Sequence, residues 1–254
     1  MEVAPLLTGF RLAVSFLTII PLYKKMAKNQ ELARSVSYYP LVGLLLGAAA
    51  AGLCVLLQRL GLTLGADALA LAALIFLTGG LHLDGLMDTA DGLLSGRDRS
   101  KKLEIMKDSR VGAMGVIAFG TMLLLKLSFL YELNSSLKIT ALLLAPAAGR
   151  WAMVYSIVRH PYARASGGLG AVLQGAGYAQ LALASMFFAA AAFWLAGWPG
   201  VLITVTAALT AGVCTALIVK SLGGMTGDTY GATGEMVETW TFLIILLGQQ
   251  AGLL

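Results

Sequence analysis

Apolar runs long enough to cross a membrane alternate with short polar connections along almost the whole chain. At the roughly 17–25 residues that a spanning helix needs, such runs fall near 38–58, 66–83, 111–131, 138–158, 180–197, 200–219 and 237–254. An earlier run, 5–22, contains Arg11 and is bracketed by Pro5 and Pro21. That pattern suits a span, a re-entrant piece or an interfacial amphipathic helix. The expected fold is therefore all-α: a polytopic bundle of about seven transmembrane helices plus an N-terminal amphipathic or re-entrant helix. Without a linker, a low-complexity tract or a convincing internal repeat, residues 1–254 read as one domain.

Composition supports this picture. Hydrophobic residues make up 58% of the chain and charged residues 12%, with a mean hydropathy of +0.82. A soluble domain carries about a quarter charged residues. The N-terminus makes a poor cleavable signal, with Glu2 where a basic segment belongs. Cys54 and Cys214, far apart inside apolar runs, read as packing residues rather than a disulfide or metal pair. Gly43 and Gly47 read as a helix-packing pair.

Charge then orients the chain. If the seven later runs all cross, thirteen Lys and Arg residues fall on one side and only Arg59 and Lys138 on the other. By the positive-inside rule the basic side is cytoplasmic. The net charge of +5 thus reflects loop bias and attraction to anionic lipid, not nucleic acid. Three polar, glycine-rich segments share that face: 84–110, 159–179 and 220–236.

The first of them carries the candidate chemistry. In "HLDGLMDTADGL", Asp84, Asp88 and Asp91 stand at i, i+4 and i+7, within an arc of roughly 60° on one helix face. Such a stripe needs positive charge near a bilayer. Ion pairs with Arg11, Lys126 or Arg150 would supply it. So would Mg²⁺, which binds a few carboxylates and fills its shell with water and phosphate oxygens. Lys107, Asp108 and Arg110 follow, and arginine forks suit phosphate; Arg97, Arg99, Lys101 and Lys102 read as solvated loop.

A second segment, "GGMTGDTYGATGE", combines glycines that let backbone amides approach an anion with Thr226, Gly227, Asp228, Thr229 and Glu235. Glu238 adds a further acid. Asp88, Asp91, Asp228 and Glu235 are candidate catalytic carboxylates, and the sequence does not choose a general base among Asp91, Asp228 and Glu235. His82 lies about 160° around the helix from Asp84, either a base from another angle or a hydrogen-bonded structural residue. Arg150, mid-run, is a functional candidate by position, with pairing to an acid as the alternative.

"GGLHLDGLMDTADGL", "MKDSRVGAMG" and "GGMTGDTYGA" closely resemble the membrane-bound cobalamin synthases, also called adenosylcobinamide-GDP ribazoletransferases. The likeness extends from "SFLTIIPL" through "YYPLVG" to the glycine-rich segment. It implies a Mg²⁺-dependent reaction at the bacterial or archaeal cytoplasmic membrane, with the lipid bilayer as setting. A ribose hydroxyl of α-ribazole, or of its 5′-phosphate, attacks the phosphorus of adenosylcobinamide-GDP nearer the corrinoid, and GMP leaves. The motif match covers Asp84, Asp88, Asp91, Lys107, Asp108, Arg110, Gly227 and Asp228. A homo-oligomer is compatible with the sequence, which does not give the oligomeric state. The CDP-alcohol phosphotransferases run similar chemistry, but their alanine-arginine pair after the first Asp-Gly is replaced here by Leu86-Met87. A transporter built on the same acids would be expected to show inverted repeats with acids in matched halves, which this chain lacks. A nonenzymatic scaffold leaves the Asp stripe without a purpose.

Overall fold

The computed structural model describes residues 5–25, 27–165 and 167–254. Twelve α-helices follow in order among them. They are α1 (Pro5–Leu17), α2 (Asn29–Ser35), α3 (Tyr39–Arg59), α4 (Leu64–Leu77), α5 (Leu81–Leu93), α6 (Arg99–Ile105), α7 (Ala113–Glu132), α8 (Ser135–Arg159), α9 (Leu169–Val172), α10 (Tyr178–Ala196), α11 (Trp198–Leu222) and α12 (Gly227–Gln250). No β-strand occurs among the described residues; Tyr162 and Met225 form an isolated bridge.

Five helical stretches are long and apolar enough to cross a membrane, or six if α4 and α5 together make one bent span. Their outward faces carry Phe76, Leu124, Trp194, Leu209 and Leu217, all largely exposed, as lipid-facing side chains should be. α8 and α12 form the buried centre. α8 packs along α3, and the close approach depends on Gly43, where a Cβ would lie 2.5 Å from the Pro146 carbonyl oxygen. Gly47 makes the equivalent contact with Leu142. α1, with thirteen residues and about 20 Å of rise, falls short of the ~30 Å hydrocarbon core. Its Arg11 Nε donates to the Leu22 carbonyl, 2.9 Å away.

Two expectations need correction. The run 66–83 is not one straight helix. α4 ends at Leu77, the axis turns by 86°, and α5 starts at Leu81. The break falls on Thr78-Gly79-Gly80, where Gly79 and Gly80 have φ of 61° and 71°, a region that strains any residue with a Cβ. Hydrophobicity continues across the break, so periodicity alone did not reveal it.

The segment 220–236 is mostly helix rather than loop. Gly223 ends α11 at φ 70°, three residues turn, and α12 begins at Gly227. Thr226 and Thr229 form a reciprocal cap there: the Thr226 amide donates to Thr229 Oγ1 at 2.7 Å, and the Thr229 amide to Thr226 Oγ1 at 3.3 Å. This satisfies amides that a helix start otherwise leaves open. The run 237–254 is thus the outer part of a 24-residue helix whose acid-bearing first half lies inside the protein.

Candidate active site

α5 carries the aspartates, and two neighbours fix its position. It runs antiparallel to the start of α12: Gly231 lies against His82, and Gly85 against Asp228. A Cβ on Gly85 would stand 2.7 Å from the Asp228 carbonyl oxygen. Only glycine lets the two backbones meet this closely, and the meeting brings Asp228 beside Asp84 and Asp88. On its other side, α5 is joined to α7 through Asp91. One Asp91 oxygen accepts from the Gly112 amide at 2.7 Å and the other from Gly115 at 2.9 Å.

That bond reassigns Asp91. The stripe anticipated it as a metal ligand or base, but both its oxygens cap the α7 N-terminus, where a carboxylate also meets the positive end of the helix dipole. The third carboxylate facing Asp84 and Asp88 is Asp228, from α12. Asp88 is half-buried and lies within electrostatic reach of Asp228, Asp84 and Asp91, with Arg164 as the nearby cation. Neither Asp84 nor Asp88 accepts a hydrogen bond among the described residues.

Arg164 was missed by the motif reading, which counted it only as loop charge. It lies in the segment joining α8 to α9, and no helical spacing links it to the acids. Its Nη2 donates to Asp228 Oδ2 at 2.8 Å and to the Met106 carbonyl at 3.3 Å; its Nε is buried with no partner among the described residues. The surrounding segments are knitted together. Met225 exchanges backbone hydrogen bonds with Pro161 and Ala163 at 2.8 and 2.7 Å. Arg99 donates to the Leu222 and Ala163 carbonyls, and Lys102 to Ser221 Oγ at 2.8 Å. Arg99 and Lys102, expected as solvated loop, dock α6 on the end of α11 instead. The three polar segments of the sequence therefore meet at one end of the bundle.

Deeper along α5, the basic residues inside the spans find other acids. Lys126 of α7 pairs with Glu235 at 2.6 Å and Glu238 at 2.8 Å. Arg150 of α8 pairs with Glu238 and donates to His82 Nδ1 at 3.2 Å. All five groups are buried, and Lys126, Arg150, Glu235 and Glu238 line a cavity of about 20 Å³, room for one water. Glu235 is thus held by Lys126, and Arg150 by Glu238 and His82, rather than by the acid stripe. The stripe keeps its own charge unpaired by Lys126, Arg150 or Arg11.

Of the remaining candidates, Thr229 is taken up in the α12 cap, and Thr226, besides capping, donates its hydroxyl to Asp228 Oδ2 at 3.3 Å. Gly227 is exposed, beside Gly170 of α9. Lys107 is exposed at the same end. Arg110, its side chain 87% exposed, forks onto Asp108 at 2.6 Å, and its guanidinium holds the Asp108 carboxyl down at about 2. Beside Asp84, a cleft of about 570 Å³ opens between the end of α1, the α4–α5 break and α7.

Carboxylate oxygens without hydrogen-bond donors among the described residues, as at Asp84 and Asp88, are the ligand type a hard divalent cation takes, whereas Arg164 beside Asp228 suits an anion. Among the described residues no three acid, imidazole or thiol groups are placed so that they could hold a metal ion together. Mg²⁺ characteristically takes one or two carboxylates and completes its shell from water and phosphate, so two of these acids would suffice as its protein ligands.

These features define a class: a helical, multi-span membrane protein with a carboxylate site at one end of its bundle. The chain belongs to the cobalamin-5-phosphate synthase family, whose model matches residues 9–246. A protein of Desulforamulus reducens named adenosylcobinamide-GDP ribazoletransferase is 61% identical over 97% of this chain and 99% of its own. Proteins of the same name from Pseudomonas savastanoi pv. phaseolicola and Desulfitobacterium hafniense are 41% and 40% identical, over 94% and 93% of this chain and 98% and 94% of theirs. No solved structure matches it.

Proposed function

We propose that this chain joins adenosylcobinamide-GDP to α-ribazole, or its 5′-phosphate, with release of GMP, at a cytoplasmic membrane with the acidic end facing the cytosol. Family membership and the relatives' shared name support the substrates, and the excess of basic loops at the acidic end supports the orientation. The observation that carries the chemistry is the meeting of Asp84, Asp88 and Asp228 beside Arg164.

In this reading Asp88 and Asp228 would hold Mg²⁺, which when bound would offset the charge of the diphosphate and the departing GMP. Arg164 orients a phosphate oxygen while tethered to Asp228, fixing the phosphorus for in-line attack. Asp84, the most exposed acid of the group, is left to orient the attacking hydroxyl and accept its proton. Asp91 holds α5 against α7 and adds its negative charge to the surroundings of Asp88.

The test is GMP release by the purified full chain in lipid nanodiscs. Release should require adenosylcobinamide-GDP, α-ribazole or its phosphate, and Mg²⁺ together. No release under those conditions, or undiminished release after chelation by EDTA, would sink the reading.

A further inference from the structure

The cleft beside Asp84 has no role in the account above. Phe16, Ile19, Leu81, Met87 and Phe119 supply its apolar walls, and Asp84 enters from one side. Ile19 and Leu81 are half-exposed at its rim. Its volume of about 570 Å³ falls in the range that holds most of a drug-sized molecule.

We propose that this cleft is the acceptor subsite, holding the flat base of α-ribazole against Phe16, Ile19 and Phe119 and turning its ribose towards Asp84. The proposal rests on the transferase reading and adds the place of the second substrate. Three observations favour this occupant. The walls are apolar and include two aromatic rings, suited to stack or edge onto a two-ring base. Asp84 accepts no hydrogen bond among the described residues, so an occupant needs a donor at that point. A lipid chain would leave the carboxylate against hydrocarbon, which is expensive, whereas a ribose hydroxyl satisfies it. A corrin macrocycle with its amide arms outgrows a cleft of this size; a nucleoside does not.

The geometry also orders the reaction. The hydroxyl oxygen bonds to the phosphorus nearer the corrinoid as that phosphorus loses its bond to the bridging oxygen. GMP leaves with that electron pair, and the hydroxyl proton passes to the Asp84 carboxylate. The acceptor approaches along α5 from the Asp84 side, and the diphosphate lies towards Asp88, Asp228 and Arg164.

Two measurements test this. Ile19→Trp, at the rim, should raise the KM for α-ribazole about tenfold or more, the scale on which a reshaped apolar pocket discriminates, and leave the KM for adenosylcobinamide-GDP within about twofold. An unchanged ribazole KM, or a rise confined to the corrinoid substrate, overturns the proposal. Independently of turnover, Leu81→Cys offers a rim thiol in a protein whose own cysteines are buried. Saturating α-ribazole should slow its maleimide labelling severalfold, and adenosylcobinamide-GDP should not. Protection by the corrinoid alone, or by neither, refutes the subsite. Wild-type protein that releases no GMP sinks the parent reading instead.

Discussion

Two groups of acids lie along α5 in opposite conditions. Near its start, Glu235 and Glu238 share Lys126, Arg150 and His82, so that two carboxylates meet two permanent cations in a dry interior. Further along lie Asp84, Asp88 and Asp228, and of these three Arg164 bonds to Asp228 alone among the described residues. A balanced buried network ties α5, α7, α8 and α12 together and leaves no net charge for a ligand to offset. An unbalanced, solvent-reachable cluster costs the fold stability and is tolerated where a ligand supplies the missing charge. The difference separates scaffold from chemistry within one helix.

The comparison breaks most sharply at Asp88. Asp88→Asn should lower GMP release by about 10³-fold or more, the scale of losing one preorganised electrostatic contact. Thermal stability in detergent should stay level or rise, because a like charge is removed. A variant that loses stability along with activity would place Asp88 in the scaffold.

Glu238→Gln should do the reverse. It leaves Arg150 buried without its counter-charge, facing an amide oxygen and the His82 ring, and breaking a buried pair costs about 3–5 kcal/mol. Thermal unfolding should show a large drop, part of which the double replacement Arg150→Met with Glu238→Met recovers. If the single variant is as stable as wild type, the network is not the clamp described here.

Gly85→Ala tests what joins the two groups. The added methyl must push the Asp228 backbone away, an overpacking cost of about 1–3 kcal/mol. The same shift separates Asp228 from Asp88, so turnover should fall on the order of 10²-fold, as ångström-scale misplacement does. Gly85→Ala with wild-type kinetics would mean that the spacing of α5 and α12 does not matter to the site.

How much of this could be read from the sequence follows from the same physics. The apolar runs located α3, α7, α8, α10 and α11 because lipid-facing helices must be apolar along their length. Spacing put Asp84 and Asp88 on one face because α5 is continuous. The runs could not show the turn at Gly79-Gly80, where greasiness persists through a change of direction. Nor could they show that α12 begins at Gly227: a buried helix rich in Gly, Thr and Glu has a loop's composition. Pairings across the chain were beyond reach as well. Lys126 with Glu235, Arg164 with Asp228, and the buried Lys138–Asp67 pair near the other end are joined only by tertiary packing. The stripe itself misled at Asp91, since a helix face says nothing of the two amides waiting at the start of α7.

The smallest effect is expected at Asp108 and Arg110, where the charges are balanced but in water. Arg110's hydrogen bonds hold the Asp108 carboxyl at about 2, below the usual value near 4. A depressed folded-state value stabilises the fold above the ordinary carboxylate range and loses that contribution as pH falls through about 2. At neutral pH the contribution is fully present, yet solvent and salt screen an exposed pair so well that it is worth little. Arg110→Ala should therefore leave the thermal midpoint at pH 7 indistinguishable from wild type, and carbon NMR should find the Asp108 carboxyl titrating near its ordinary value. A large loss of stability there would show that balance alone, without burial, is enough to make a scaffold. Unchanged stability with a raised KM for adenosylcobinamide-GDP would instead return Arg110 to the phosphate-binding role that its sequence motif suggested.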